Sequence, residues 1–414
     1  MSRETIVLGA GIVGVSIAWH LVQRGRKVLL IDRRPPGLET SFGNAGIIQR
    51  EAVRPYAFPH DLKTLLRVLP NRSIDIRYKP SGMFAAASPL LSYYLNSFPG
   101  RYKKIIPEYA SIIALSTQEH DPMIKASGAD ALIQKKGWLE LYRTEAELDA
   151  RHQEAQEAAK QGVVSRRIDR ATLDEMQPGL SADICGAIHW QNSWMVESPG
   201  DLVQAYAKDF EAKGGEFLEA ELNTIVQNSA NNWTVTTSKG SHDAAEVVVA
   251  LGPWSQDYLA PLNYSFPLFV KRGYHMHYQQ PSIKSTLNYW LMDAEKGYLL
   301  EPMKAGIRLT TGAELANLDA PPAYGQLEAA EKVARKLFPI GERADKEPWK
   351  GARPCLPDMK PVIGPAPRHP GLWLAFGHGH QGFTLGPATG RLLGEMMDNE
   401  KTAIDMQPFR ADRF

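Results

Sequence analysis

The sequence predicts an α/β fold, α+β overall, in which a parallel sheet is assembled from separated stretches of chain and a mixed sheet is inserted between them. Three observations predict it. The first 33 residues read strand, glycine turn, helix, strand. Wholly apolar runs recur late in the chain, at Val247-Val248-Val249 and Leu372-Trp373-Leu374-Ala375, as strands covered on both faces require. Residues 266–312 instead alternate, as in Gly273-Tyr274-His275-Met276-His277-Tyr278, the period of a strand with one buried face.

Taken in order, Ile6-Val7-Leu8 is a short strand and residues 12–23 carry apolar side chains at helical spacing. Gly25 ends that helix as a left-handed cap, and Val28-Leu29-Leu30-Ile31 is the next strand. Residues 34–46 form a loop rich in Gly, Pro, Ser and Asn. Residues 108–127 and 143–160 read as helices polar on one face. Ser198-Pro199-Gly200-Asp201 opens a helix that runs to Lys213, where Gly214-Gly215 stops it. Residues 216–250 alternate as strands with a turn near Ser229–Asn232, and residues 326–338 form a polar helix. The tail, 371–398, repeats the opening: strand, glycine-rich turn, then helix from Ala388. The expected division assigns 1–80, 160–262 and 345–414 to a dinucleotide domain, and 81–159 and 263–344 to a substrate domain.

Composition narrows the function. The chain has 414 residues, 43% hydrophobic, enough for a large core. Lys plus Arg number 47 against 46 Asp plus Glu, so the basic excess of a nucleic-acid binder is missing. Cys185 and Cys355 are the only cysteines, without C-x-x-C spacing, and read as free thiols in a reducing compartment; no metal site is expected. Residues 6–22 mimic a signal peptide, but Glu4 and three glycines argue against one. With no run of ~18–20 apolar residues, a cytoplasmic location is expected. Residues 83–95, followed by Arg101, Lys103 and Lys104, read as a buried helix, with peripheral contact to the inner face of the cell membrane as the alternative.

The chemistry-bearing motif is Gly9-Ala10-Gly11-Ile12-Val13-Gly14, directly after a strand and opening a helix. Gly9 permits the tight turn, Gly11 lets backbone approach a pyrophosphate, and Gly14 lets helix and strand pack closely. The helix N-terminus at Ile12 and Val13 stabilises phosphate charge. Asp32 ends the second strand, where a carboxylate accepts ribose hydroxyls, and its charge opposes a 2′-phosphate, although Arg33 and Arg34 follow. The motif does not separate FAD from NAD.

Further segments do. Thr40-Ser41-Phe42-Gly43-Asn44-Ala45-Gly46, Ala250-Leu251-Gly252-Pro253-Trp254-Ser255, Trp349-Lys350-Gly351-Ala352-Arg353-Pro354 with Pro357-Asp358 and Pro361-Val362-Ile363-Gly364, and Gly377-His378-Gly379-His380-Gln381-Gly382-Phe383-Thr384-Leu385 follow in that order. Together with the glycine motif, over nearly the whole length, they resemble the FAD-dependent D-amino-acid dehydrogenase, glycine oxidase and sarcosine oxidase superfamily, most of all its bacterial D-amino-acid dehydrogenases. The resemblance implies an FAD-binding, Rossmann-like domain. It places Thr40, Ser41, Asn44, Ala45 and Gly46 around the pyrophosphate and toward the flavin, Ile47 and Gln49 near the ring, and Arg33, Leu222, Gly252 and Trp254 along the cofactor. Gly379, Gln381, Gly382, Phe383 and Thr384 would flank the flavin pyrimidine edge at a helix N-terminus, whose dipole favours negative charge on reduced flavin. Cys355 does not stand where covalently flavinylated relatives carry their link, so noncovalent FAD is expected.

The resemblance also implies a small D-amino or imino acid as substrate, such as D-proline, D-hydroxyproline or D-alanine, oxidised by hydride transfer from Cα to flavin N5. Electrons would pass to a quinone or electron-transfer protein. A guanidinium meets a carboxylate with two parallel hydrogen bonds, and the resemblance makes Arg353 the leading candidate, since the family's carboxylate-binding Arg stands in the matching Gly-x-Arg-Pro segment. Arg272 and Tyr298 are further candidates for the carboxylate, His380 for the pocket wall, and Gln49 for a substrate hydrogen bond. The alternatives are an oxygen-using glycine or sarcosine oxidase and a flavin-binding protein without turnover.

Overall fold

The computed structural model describes residues 3–228, 232–281 and 286–414 and builds them into two large sheets. In the first, strands Glu216–Glu219, Val28–Asp32, Arg3–Leu8 and Gly240–Val249 run parallel, and Leu372–Phe376 joins the second half of Gly240–Val249, also parallel. These strands are apolar throughout because both faces are covered. Val7, Leu30 and Val248 pack into the core with helices Ile12–Gln23, Pro199–Ala212 and Gly382–Met397. Ile6, Leu8, Leu29, Ile31, Val247 and Val249 pack on the other face with Trp233, Leu259 and Phe376. The expected turn near Ser229–Asn232 falls mainly on 229–231, outside the described residues.

The last helix begins at Gly382, six residues before the expected Ala388. Gly386 and Pro387 read as breakers, but each has another role. A Cβ at Gly386 would sit 2.8 Å from Ile12 Cγ1, so glycine lets this helix cross the opening helix closely. Pro387 has no N–H for the carbonyl four residues back, Phe383 O. The buried His120 supplies the missing donor, with Nε2 3.0 Å from Phe383 O and Nδ1 3.0 Å from the Tyr206 hydroxyl.

The second sheet has the order Ile76–Tyr78, Ala313–Leu315, Phe269–Tyr278, Gly306–Thr310, Tyr298–Met303, Leu291–Asp293, Trp138–Tyr142, Gly186–Trp190, Ser165–Asp169, with Trp349–Cys355 also antiparallel to Phe269–Tyr278. Strands Ser165–Asp169, Gly186–Trp190, Ile76–Tyr78 and Trp349–Cys355 were expected within the dinucleotide domain; they pair here instead. Alternation marks a strand but not the sheet that receives it. Tyr274, Met276, Tyr278, Leu300 and Leu309 pack under helix Gly325–Leu337, leaving Gly273, Leu299 and Thr310 on the opposite face.

Residues 83–95 are not one buried helix. They divide into Pro80–Ala85 and Ala87–Asn96, with Gly82, Leu90 and Tyr93 as their buried residues. Among the described residues no helix is long and apolar enough to cross a membrane.

Candidate active site

A cavity runs from the carboxyl ends of the parallel strands to the open face of the second sheet, the position where sheets of this kind bind ligands. At the first end, the three motif glycines do different work. Gly9 adopts φ +102°, and a Cβ there would lie 2.5 Å from Ala250 O. A Cβ on Gly14 would lie 1.7 Å from Gly9 O, so Gly14 serves packing and does not line the cavity. A Cβ on Gly11 would meet only Ser41 Oγ, at 3.5 Å. Gly11 therefore leaves room beside the helix N-terminus, the space a pyrophosphate needs.

Asp32 accepts the N–H of Ala10 at 2.6 Å and of Arg34 at 3.1 Å. Burial pushes its carboxyl up while those two N–H groups pull it down. Arg33 is drawn off by Glu39, 2.9 Å away, and lies 4.4 Å over the Trp254 ring. Glu39 itself lines the cavity. Glu39 also pairs with Arg34, at 3.2 Å, so both arginines after Asp32 are drawn toward Glu39. Arg33, Leu222, Gly252 and Trp254 all line this stretch.

Ile12, Val13, Thr40, Ser41, Asn44, Ala45 and Ile47 line the middle of the cavity. Ser41 Oγ accepts the N–H of Ile12 at 3.0 Å, and Asn44 Oδ1 accepts the N–H of Gly46 at 2.9 Å. Gly46 lies outside the lining, pressed on Val196 O. Gln49, Gly379, His380, Gly382 and Phe383 line the far end, beside the N-terminus of helix Gly382–Met397. Gln381 and Thr384 stand behind them. Gln381 Nε2 donates to Gln49 Oε1 at 2.6 Å, Gln49 Nε2 donates to the buried Glu51 at 2.8 Å, and Thr384 Oγ1 accepts the N–H of Gln49 at 3.1 Å. The residues present thus fit an FAD lying along the cavity: room at Gly11, acceptors at Asp32 and Glu39, and a second helix N-terminus at the far end.

Arg353 enters the far end from the strand Trp349–Cys355. Its guanidinium crosses the backbone of the neighbouring strand at Gly273, where a Cβ would lie 2.7 Å from Nη2. Trp349 is accommodated the same way, over Gly43 and Gly351, where Cβ atoms would come within 1.9 and 2.0 Å of its ring. Arg353 donates to two backbone carbonyls, Gly312 O at 3.0 Å and Arg272 O at 3.4 Å, and has no carboxylate partner among the described residues. Burial lowers its pKa from an ordinary value high enough that the cation persists. Burial, and then Arg353 and Lys271, hold His380 well below its usual range, so its imidazole is neutral at pH 7.

Two expected substrate contacts are not brought to the cavity. Arg272 is fully buried on the other face of the sheet, with Nη2 2.6 Å and Nε 2.9 Å from Glu314 Oε2. Tyr298 is buried in the same core beneath helix Gly325–Leu337. Both sit at even positions of strands whose odd positions, Gly273 and Leu299, face the cavity, and a one-residue shift in a strand reverses the face. Conversely, Tyr56, Trp138, Met292, Leu299 and Thr310 line the cavity without having been singled out, and Trp349, quoted only as part of a segment, lines it too. The alternation over 266–312 carried that signal for Met292, Leu299 and Thr310; Trp138, on Trp138–Tyr142, and Tyr56, in a loop, lie outside it.

Glu301 lies behind the lining and accepts Thr310 Oγ1 at 2.9 Å. Burial pushes its carboxyl up from 4.5 to about 8, against the pull of Arg308, Thr310 and Arg353. A carboxyl raised on folding contributes stability that is present below its unfolded pKa and is lost as pH rises through the folded value. The native fold should therefore lose stability through Glu301 between pH 4.5 and about 8. Glu301→Gln should flatten that slope, measured as urea midpoints across the window; parallel slopes for the two proteins would remove Glu301 as the cause.

His275, His277 and Asp345 bring ligand atoms within 4.8 Å of one another. His277 is already spoken for, Nδ1 by Asp345 at 2.7 Å and Nε2 by Arg308 at 3.0 Å. The arginine places a fixed positive charge where a cation would sit.

Residues 4–396 match the family described as FAD dependent oxidoreductase. The chain is 27% identical over 412 residues to a D-amino acid dehydrogenase of Chromohalobacter salexigens, covering 97% of each chain. It is 28% identical over 422 residues to a D-amino acid dehydrogenase of Bradyrhizobium diazoefficiens, covering 99% of each. Its fold is similar to glycine oxidase from Geobacillus kaustophilus, with TM-score 0.75 and 22% identity over 100% of both chains. It is also similar to L-proline dehydrogenase from P. horikoshii, with TM-score 0.73 and 19% identity over 100% of this chain and 98% of the other. With a glycine turn and cavity that suit the cofactor, and with the match spanning almost its whole length, the chain belongs to the FAD dependent oxidoreductase family.

Proposed function

We propose that this protein is a D-amino-acid dehydrogenase that holds FAD noncovalently and oxidises the carbon–nitrogen bond of a small D-amino or imino acid. D-Proline, D-hydroxyproline and D-alanine are the leading substrates. The observation that carries the reading is Arg353, a guanidinium at the cavity's far end with no carboxylate partner among the described residues. Half-buried Arg353 commits Nη1 to two backbone carbonyls, and an amino acid brings the carboxylate that complements the rest of the fork. FAD, when bound, supplies the acceptor for the hydride on Cα. The chain's part is orientation. Arg353 fixes the carboxylate, Gly273 and Gly351 keep the approach open, and Tyr56, Trp138, Leu299 and Trp349 give the side chain an apolar surround. Gln49, held by Gln381 and Glu51, offers a hydrogen bond there. Neutral His380 adds no charge to compete with Arg353.

The electron acceptor in this reading is a quinone or an electron-transfer protein, met by a cytoplasmic enzyme in peripheral contact with the cell membrane. The test is anaerobic addition of D-amino acids, L-amino acids, glycine and sarcosine to the yellow holoprotein. Bleaching by D-amino or D-imino acids, with reoxidation by an artificial acceptor faster than by oxygen, is the expected result. Bleaching by glycine or sarcosine with fast reoxidation by oxygen would replace it with the oxidase reading. A protein that stays yellow throughout would not be an amino-acid dehydrogenase.

A further inference from the structure

Most of the large exposed apolar side chains among the described residues fall in one stretch of chain. Leu62, Leu65, Leu66, Leu69, Phe84, Leu91, Leu95 and Phe98 all fall within 37 residues of sequence, and Phe84 is 87% exposed, Leu62 69% and Leu69 68%. Helix Leu62–Val68 buries none of its residues, so packing on the body of the protein does not account for its leucines. Helix Ala87–Asn96 buries Leu90 and Tyr93 and presents Leu91 and Leu95 outward.

The pieces are tied into one surface. His60, just before the first helix, packs its ring 4.4 Å from Phe98 and 4.5 Å from Tyr94. Arg67 bonds Asp75 at 2.7 Å, and the Tyr78 hydroxyl donates to Leu69 O at 2.6 Å, which fixes the helix to the edge strand leading into Pro80–Ala85.

The charge on the same stretch is mostly positive. Between residues 61 and 104 stand Lys63, Arg67, Arg72, Arg77, Lys79, Arg101, Lys103 and Lys104 against two acids, Asp75 and the helix cap Asp61. Lys63, Arg72, Arg101, Lys103 and Lys104 are exposed and make no ion pair among the described residues. The chain as a whole is nearly neutral, at +1, so this is local segregation. We propose that this surface seats the protein on an anionic lipid bilayer, with the leucines and Phe84 entering the headgroup boundary and the lysines and arginines contacting lipid phosphates. A second copy of the chain fits less well, because a twofold contact would set these cations against themselves. The proposal specifies the membrane contact invoked above, but its argument rests on this surface alone.

The surface also connects to the cavity. The Tyr102 hydroxyl donates to Pro55 O at 2.6 Å, and the Tyr93 hydroxyl donates to Tyr56 O. Tyr56 lines the cavity, so helices of the docking surface hold the segment that carries a cavity residue.

The test is co-sedimentation of the full flavinated chain with vesicles of phosphatidylcholine, with and without phosphatidylglycerol. Binding confined to phosphatidylglycerol vesicles and released by salt is expected. Lys103→Glu with Lys104→Glu should weaken partitioning by roughly thirtyfold or more. Leu62→Ser with Leu66→Ser should weaken it too without disturbing the fold, because that helix buries nothing. Both variants should keep wild-type turnover with a soluble artificial acceptor, so loss of vesicle binding is read apart from loss of the enzymatic reading. Equal sedimentation with and without phosphatidylglycerol would overturn the proposal. So would no vesicle binding at all, whether or not the leucine variant abolished self-association by ultracentrifugation.

Discussion

Arg353→Lys should lower kcat/KM for the best D-amino acid by roughly thirty- to a thousandfold while flavin content stays normal. A single ammonium cannot reproduce the planar fork that meets a carboxylate with two parallel bonds. The position is also shaped for a flat group, because the guanidinium lies across Gly273 and donates to Gly312 O and Arg272 O. Losing a desolvated charge contact of this kind costs about 2–4 kcal/mol in transition-state binding, which is the stated range of rates. Steady-state kinetics beside the flavin spectrum makes the measurement. Near wild-type kcat/KM in a fully flavinated variant would remove Arg353 as the clamp. Arg272 would not inherit the role, since it is sealed behind the sheet against Glu314. Loss of flavin together with activity would assign Arg353 to the cofactor or the fold.

Gly11→Val should abolish FAD binding in a chain that still folds. The structure separates these outcomes. A Cβ at Gly11 meets only Ser41 Oγ at ordinary contact distance, whereas at Gly14 it would overlap Gly9 O at 1.7 Å. A branched side chain at Gly11 therefore occupies cofactor space without breaking the packing of helix on strand. The expected apoprotein keeps the wild-type far-ultraviolet spectrum and cooperative unfolding but purifies colourless. Gly14→Val should lose the fold itself. Full yellow colour in the Gly11→Val protein would place the pyrophosphate elsewhere.

Much of the dinucleotide half was legible in sequence because its signals are local. The turn at Gly9, the cap at Gly25 and the carboxylate at Asp32 each follow from spacing within one strand–turn–helix unit. The substrate half was less legible because its decisive relations are cross-strand. Nothing near Arg353 announces that Gly273, eighty residues earlier, will lie beneath its guanidinium. The same gap misplaced Arg272 and Tyr298, whose residue types suited the chemistry while the pleat turned them away. The late start assigned to the last helix had a different source. Gly386 and Pro387 are helix breakers in isolation, and what makes them tolerable, Ile12 on one side and His120 on the other, comes from elsewhere in the chain. The exposed leucines at 62–69 reverse the usual rule, since an apolar helix normally reports a core.

The central parallel strand Gly240–Val249 is flanked by one strand from the first ten residues and another from beyond residue 370. On the ribosome the opening strand is made first and receives its full setting last. At roughly 5–20 residues per second, about 20–70 s separate Leu8 from Phe376. Over that interval the glycine turn and its helix exist without the partner helix Gly382–Met397, which covers their apolar face. Nascent chains stalled before residue 372 should therefore remain sensitive to protease around the glycine turn and should not yet capture FAD.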